Sequence, residues 1–204
     1  MTRDSKPTRR NVLLTGVSAH VFLAGCLDFS RSENGNGEIT DTPDALLPEE
    51  RLVTEVLDGE WEKAERESAS VSVPADAHGV HGFARMDTAE QLSDVVDSDP
   101  RIESPGGVEV SVWTYEERTA AREGYEAHPD HDRGFTEADI GDESISGGTS
   151  PVDEYPQVRV LFRERNVVAW VSYWDVHVAE MDDTREYEAN ALDLAEAIRR
   201  DWLD

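Results

Sequence analysis

Hydrophobic and polar positions alternate most clearly in the last third of the chain. In "QVRVLF", 157–162, Val158, Val160 and Phe162 fall on one side at period two and Arg159 on the other. In "NVVAWVSYW", 166–174, Val167, Ala169, Val171 and Tyr173 share a side, and Trp170 and Trp174 share the opposite one. Period two is the repeat of a strand, whose successive side chains point to opposite faces of a sheet. Only "RER" separates the two runs, so together they predict a hairpin. "VEVSVWTY", 108–115, repeats the pattern, with Val108, Val110 and Val112 opposed to Trp113 and Tyr115. Further strands are expected at 60–73 and 80–86.

A different period governs the end of the chain. From Thr184 to Trp202, the residues Tyr187, Ala191, Leu194, Ala195, Ile198 and Trp202 recur at helical spacing, which predicts a long amphipathic helix. A helix over 48–58 is signalled by Pro48 in its first turn, Glu49 and Glu50 at its positive end, and Gly59 after it. Thr88 and Gln91 form a capping pair for a helix over 88–96, and a further helix fits 116–128. Hairpin-like and crossover connections are mixed. The expected architecture is therefore α+β: one domain over 48–204, a mostly antiparallel sheet, a C-terminal hairpin and a long C-terminal helix. The polar stretch 129–156 reads as one long loop.

Alternation leaves Trp113, Tyr115, Arg159, Trp170 and Trp174 opposite the aliphatic runs. In one arrangement the helix over 48–58, with Leu52, Val53 and Val56, covers that second face. In the other the face is open, and the aromatic residues and Arg159 make a platform for a ligand.

The first 47 residues follow another logic. Arg3, Lys6, Arg9 and Arg10 precede an apolar run over 11–25 that contains Thr15, Ser18 and His20. A spanning helix needs about 20 mostly apolar residues. Basic flank, short apolar segment and small residues at the end are the layout of a removable signal peptide. "TRRNVL" resembles a twin-arginine export signal carried by Arg9 and Arg10, with Val12 where Phe is usual. Leu23-Ala24-Gly25-Cys26 resembles the lipobox of secreted lipoproteins, which implies cleavage before Cys26 and a lipid on its thiol. Cys26 is the one cysteine, so no disulfide is available. Residues 1–25 are expected to be removed and 26–47, rich in Gly, Asn, Asp, Ser and Thr, to form an acidic tether.

Charge narrows the setting. The formal net charge is −26, and beyond residue 25 it is −29, from 44 acids against 15 bases of which only Lys63 is lysine. A nucleic-acid partner is not expected, because phosphate binding needs a basic patch. Composition with 38% apolar residues, five Trp and five Tyr indicates a packed core. Self-repulsion at this charge is screened in molar salt. The acid-rich, lysine-poor composition is similar to that of proteins from salt-loving archaea, where twin-arginine lipoproteins are common.

Of the residues that could carry chemistry, histidines stand out. His78 and His81 form one His-x-x-His pair, His128 and His131 another beside Asp130 and Asp132, and His177 stands alone. Four converging imidazoles, or three with a carboxylate, would suit zinc. The bland reading is surface histidines in polar loops. No HExxH, G-x-S-x-G, P-loop or G-x-G-x-x-G signature occurs.

Strand, alanine-bearing helix, "IGDES" loop, hairpin and long helix, over about 108–202, together resemble the extracellular sensor domain of mycobacterial serine/threonine kinases and related lipoproteins. That resemblance implies ligand binding or sensing. The expected protein is a non-enzymatic, salt-adapted lipoprotein on the outer face of the cytoplasmic membrane, without a cofactor. Its domain would bind a ligand or a cell-envelope partner. A divalent-metal-binding lipoprotein and an extracellular hydrolase are the alternatives.

Overall fold

The computed structural model describes residues 37–64, 73–86, 106–149, 157–175 and 185–204. Cys26, Arg9, Arg10, His177 and the helix expected over 88–96 lie outside the described residues. Seven strands form one sheet: β1 (Trp61–Ala64), β2 (Ala77–Arg85), β3 (Gly106–Thr114), β4 (Thr136–Glu137), β5 (Glu143–Thr149), β6 (Gln157–Glu164) and β7 (Val167–Asp175). Their order is β1-β2-β3-β7-β6-β5-β4 and every described pairing is antiparallel. Among the described residues four helices accompany it: α1 (Pro43–Leu46), α2 (Glu50–Val56), α3 (Arg118–Glu126) and α4 (Arg185–Leu203). The α+β expectation holds, including the hairpin β6–β7 and the long C-terminal helix.

The alternation seen in the sequence is the alternation of the sheet. Val108, Val110, Val112, Val158, Val160, Phe162, Val167, Ala169, Val171 and Tyr173 face one way and join Leu46, Val53, Leu194 and Ile198 in the main core. Three helices, α1, α2 and α4, supply that cover. Trp202 on α4 stacks on Phe162 at 5.3 Å between ring centroids and donates its indole N–H to Leu46 O at 2.7 Å, fastening the last helix to the first. The opposite face carries a second apolar cluster, Trp113, Tyr115, Leu161, Val168 and Trp170, packed under Ala121 and Tyr125 of α3.

The second face is therefore covered, but not by the helix expected for it. The segment over 48–58, seen as α2, lies on the first face, where Val53 is fully buried. The cover is α3, which directs Ala121, Gly124 and Tyr125 inward at i, i+3 and i+4. Tyr115 runs beneath it so closely that a Cβ on Gly124 would collide with the phenol oxygen. Glycine inside this helix is a packing requirement that outweighs its cost of roughly 1 kcal/mol relative to alanine.

Two boundaries differ from expectation. The stretch 129–156, read as one loop, carries β4 and β5, with β5 paired to β6 from Glu143↔Arg163 to Thr149↔Gln157. "ESISGGT" has one aliphatic residue and two glycines, so its strand state comes from the free edge of β6, and context overrides weak propensity. The fold also reaches back into the segment expected as tether. Ile39 is buried, its N–H donates to Asn166 Oδ1 at 2.7 Å, and its carbonyl accepts from Asn166 Nδ2 at 3.0 Å. Asn166, in the β6–β7 turn, also donates to Tyr115 O at 2.7 Å.

Candidate functional site

The turn that follows α3 places a carboxylate against the covered face. Ala121, Gly124, Tyr125 and His128 continue one side of the helix into this turn and all four are buried. Asp130 is 2% exposed and is the centre of a polar cluster. Its Oδ2 accepts the indole N–H of Trp170 at 2.7 Å, and its Oδ1 accepts from an Arg159 terminal nitrogen at 3.2 Å and is ion-paired with Arg133 Nε at 2.6 Å. Arg159 reaches past the Trp170 ring, its guanidinium carbon 5.4 Å from the ring centroid, and donates to Gln157 Oε1 through Nε at 3.2 Å. Ser172 Oγ donates to the same Gln157 oxygen at 3.1 Å. Burying a carboxylate is costly unless it is paired and hydrogen-bonded. Here two hydrogen bonds and the charges of two guanidinium groups meet that requirement.

His128 belongs to the same cluster. Its Nδ1 accepts the Asp130 backbone N–H at 3.1 Å, which assigns the ring proton of the neutral imidazole to Nε2. The ring stands edge-on to Trp113 at 5.6 Å and tilted to Trp170 at 6.3 Å. Burial drives its pKa down to about 4, with Asp130 opposing and Arg159 and Arg133 adding to the fall. Its Nε2, the Tyr115 hydroxyl and Thr149 Oγ1 are buried side-chain atoms without a hydrogen-bond partner among the described residues.

The other described histidines, His78, His81 and His131, are dispersed. β2 runs through both His78 and His81, and positions three apart on a strand point to opposite faces. His78 stacks on Trp113 at 4.8 Å, on the second face, and its pKa is lowered by burial. His81 packs against Phe83 of the first face and sits between Lys63 Nζ at 2.6 Å and Pro48 O at 3.1 Å. His131 lies edge-on to Tyr125 at 5.3 Å, with Nδ1 3.6 Å from Asp132. The four-imidazole arrangement does not form. Among the described residues no group of three or more His, Cys, Asp or Glu is placed to hold a metal ion.

The five residues of the expected platform do share one face, and none presents a free surface. Trp113, Tyr115 and Trp170 are buried in the cluster under α3, and Arg159 is engaged by Asp130 and Gln157. Trp174 lies across Gly107, its partner in register, where a Cβ would strike the indole.

An open feature lies beside α3. A groove of about 510 Å³ runs between Pro74–Asp76 and the flank of the helix formed by Ala120, Glu123, Gly124 and Ala127, with Tyr115 among its lining. Tyr115 is 5% exposed, and burial followed by the charge of Asp76 pushes its pKa up to about 12. Asp76 is held in place by accepting the Glu116 N–H at 2.7 Å. Sequence reasoning missed this groove. The signal present was Ala120, Gly124 and Ala127 at i, i+4 and i+7, a helix flank with nothing long enough to fill a gap. A second cavity, of about 350 Å³, lies between residues 136–140 and α4, beside Glu188, Asp193 and Glu196.

No protein-family model matches the chain, and no curated protein matches it. Among solved structures it shows a weak resemblance to the extracellular domain of PknH from Mycobacterium tuberculosis. The two share 12% identity with a TM-score of 0.46, over 78% of this chain and 94% of that one.

Proposed function

We propose that the chain is an exported lipoprotein whose α+β domain binds a ligand or envelope partner outside the cell and performs no catalysis. The observation that carries the binding reading is the groove beside α3, whose volume falls in the range of small-molecule sites, roughly 300–1,000 Å³. The absence of catalysis is supported by the chemistry of the buried cluster. Asp130 is committed to Trp170, Arg159 and Arg133, and the one basic nitrogen of His128 is occupied by a backbone N–H. A general base needs a free lone pair within reach of a substrate proton.

The address rests on the N-terminal sequence. Arg9-Arg10 before a short apolar run supports twin-arginine export, and Leu23-Ala24-Gly25-Cys26 supports cleavage and lipid attachment at Cys26. A net charge of −29 beyond residue 25 supports adaptation to high salt of the kind found in haloarchaea. Fractionation and mass spectrometry test this address. Replacing Arg9 and Arg10 together by Lys retains a full-length precursor in the cytosol, and Cys26→Ser yields a chain without lipid. Wild-type protein in the cytosol with its N-terminus intact overturns the reading.

A further inference from the structure

The groove beside α3 has a defined chemical character. One wall is a helix flank of small residues, Ala120, Gly124 and Ala127, and the other is Pro74 and Ala75. Tyr115, 5% exposed, reaches the groove only at its edge, and its hydroxyl, buried and without a hydrogen-bond partner among the described residues, lies against Gly124 of the same wall. Carboxylates stand on both sides: Asp76, fixed by the Glu116 N–H, and Glu123, which has no ion pair among the described residues. No described residue lining the groove is basic. Two carboxylates are too few ligands for a tightly held metal ion, and the groove is far larger than one. Apolar walls and carboxylates of a single sign together complement a cation that carries an alkyl body.

We propose that this groove binds a compact organic cation of the alkylammonium or alkylguanidinium class, paired with Asp76 and Glu123, its alkyl body lying between Pro74–Ala75 and the Ala120–Gly124–Ala127 flank. The inference rests on the binding reading above and names the class of ligand for that site. Carboxylate pairing supplies attraction that salt weakens, while the apolar walls keep their contribution at high salt. Discrimination against inorganic cations follows, because potassium or sodium gains nothing from alkyl contact.

Amide-resolved NMR titration of the full extracytoplasmic domain tests this with n-butylammonium and n-butylguanidinium, against butan-1-ol and butyrate, at 0.2 M and 2 M KCl. The cations are expected to shift amides at 75–76 and 120–127 and to bind at least tenfold more tightly than butanol at 0.2 M KCl. Glu123→Gln weakens the cations about fivefold without changing the affinity for butanol. Ala127→Trp, at an exposed position, fills the groove and abolishes the shifts while the far-UV spectrum and melting temperature stay as in wild type. A capped arginine tetrapeptide that binds tenfold more tightly than free butylguanidinium identifies the source as a partner chain; equal affinity identifies a free small molecule. Shifts at these residues with butanol or butyrate but not with the cations overturn the ligand class and leave the binding reading standing. No shift at 75–76 or 120–127 with any probe overturns both.

Discussion

Trp170 on β7 donates its indole N–H to Asp130 in the turn after α3 at 2.7 Å, and both side chains are more than nine-tenths buried. This bond fixes where α3 ends on the sheet. The remaining oxygen of Asp130 takes Arg159 from β6 and Arg133 from the turn, so one carboxylate ties three parts of the chain together.

Removing that carboxylate leaves a buried indole N–H and a largely buried guanidinium without their acceptor. Asp130→Ala is expected to cost about 3 kcal/mol of stability, the scale for breaking a buried charge pair. Arg133 is half-exposed, and Arg133→Ala is expected to cost under about 1 kcal/mol. Urea unfolding midpoints of the two variants check the contrast, and equal effects would contradict the assignment of Asp130 as the hub.

His128 makes stability depend on pH. Its folded pKa of about 4 lies below the ordinary value of 6.5, so the unfolded chain binds the proton more readily. The contribution is fully present above pH 6.5, is lost progressively as pH falls toward 4, and levels off below. The span corresponds to roughly 3 kcal/mol. His128→Asn, which keeps an acceptor for the Asp130 N–H, flattens the profile between pH 6.5 and 4. An unchanged profile in this variant would place the acid sensitivity in other groups.

The contact between Tyr115 and Gly124 gives a pair of opposite outcomes. Tyr115→Phe removes a buried hydroxyl that has no partner among the described residues, so the ligand-free domain loses nothing or gains up to about 1 kcal/mol. Gly124→Ala drives a methyl group into that hydroxyl and costs about 1–3 kcal/mol, the range for overpacking. In the double variant part of that cost returns, because the atom first struck is gone. Thermal melts of the three chains measure the coupling directly.

Salt acts on the whole surface. Raising salt from 0.1 M to 1 M shortens the screening length from about 10 Å to about 3 Å, and a chain of formal charge −26 loses much of its self-repulsion. The melting temperature is expected to rise by several degrees between those concentrations. A flat response would contradict salt adaptation.

Asn166 shows how much a turn residue can hold. It accepts from Ile39 N–H and donates to the carbonyls of Ile39 and Tyr115. Asn166→Leu orphans three backbone groups, and a loss of about 2–4 kcal/mol is expected. Deleting residues 1–38 leaves these bonds in place, whereas deleting through residue 42 removes the two to Ile39 and keeps the one to Tyr115, so the second truncation alone should lower the unfolding midpoint.

The sequence by itself determined the sheet's two-sidedness. Period two in 108–115, 157–162 and 166–174 separated valines from tryptophans, and the structure keeps that separation because a strand's side-chain period is fixed by covalent geometry. The final helix was legible for the same kind of reason, its apolar stripe at helical spacing. Which helix covers which face was not legible, since an apolar stripe on α2 or α3 fits either side of a sheet, and only the course of the chain decides. Nor was β5, whose Gly-rich sequence becomes a strand by borrowing the edge of β6. The histidine pairs show the reverse failure: equal spacing suggested equal roles, but β2 sends His78 and His81 to opposite faces, while the turn after α3 buries His128 beside Asp130. Spacing along a chain becomes proximity only once backbone geometry is set. Hence the hub at Asp130 and the groove at Tyr115 belong to the tertiary structure, assembled from residues 40 or so positions apart.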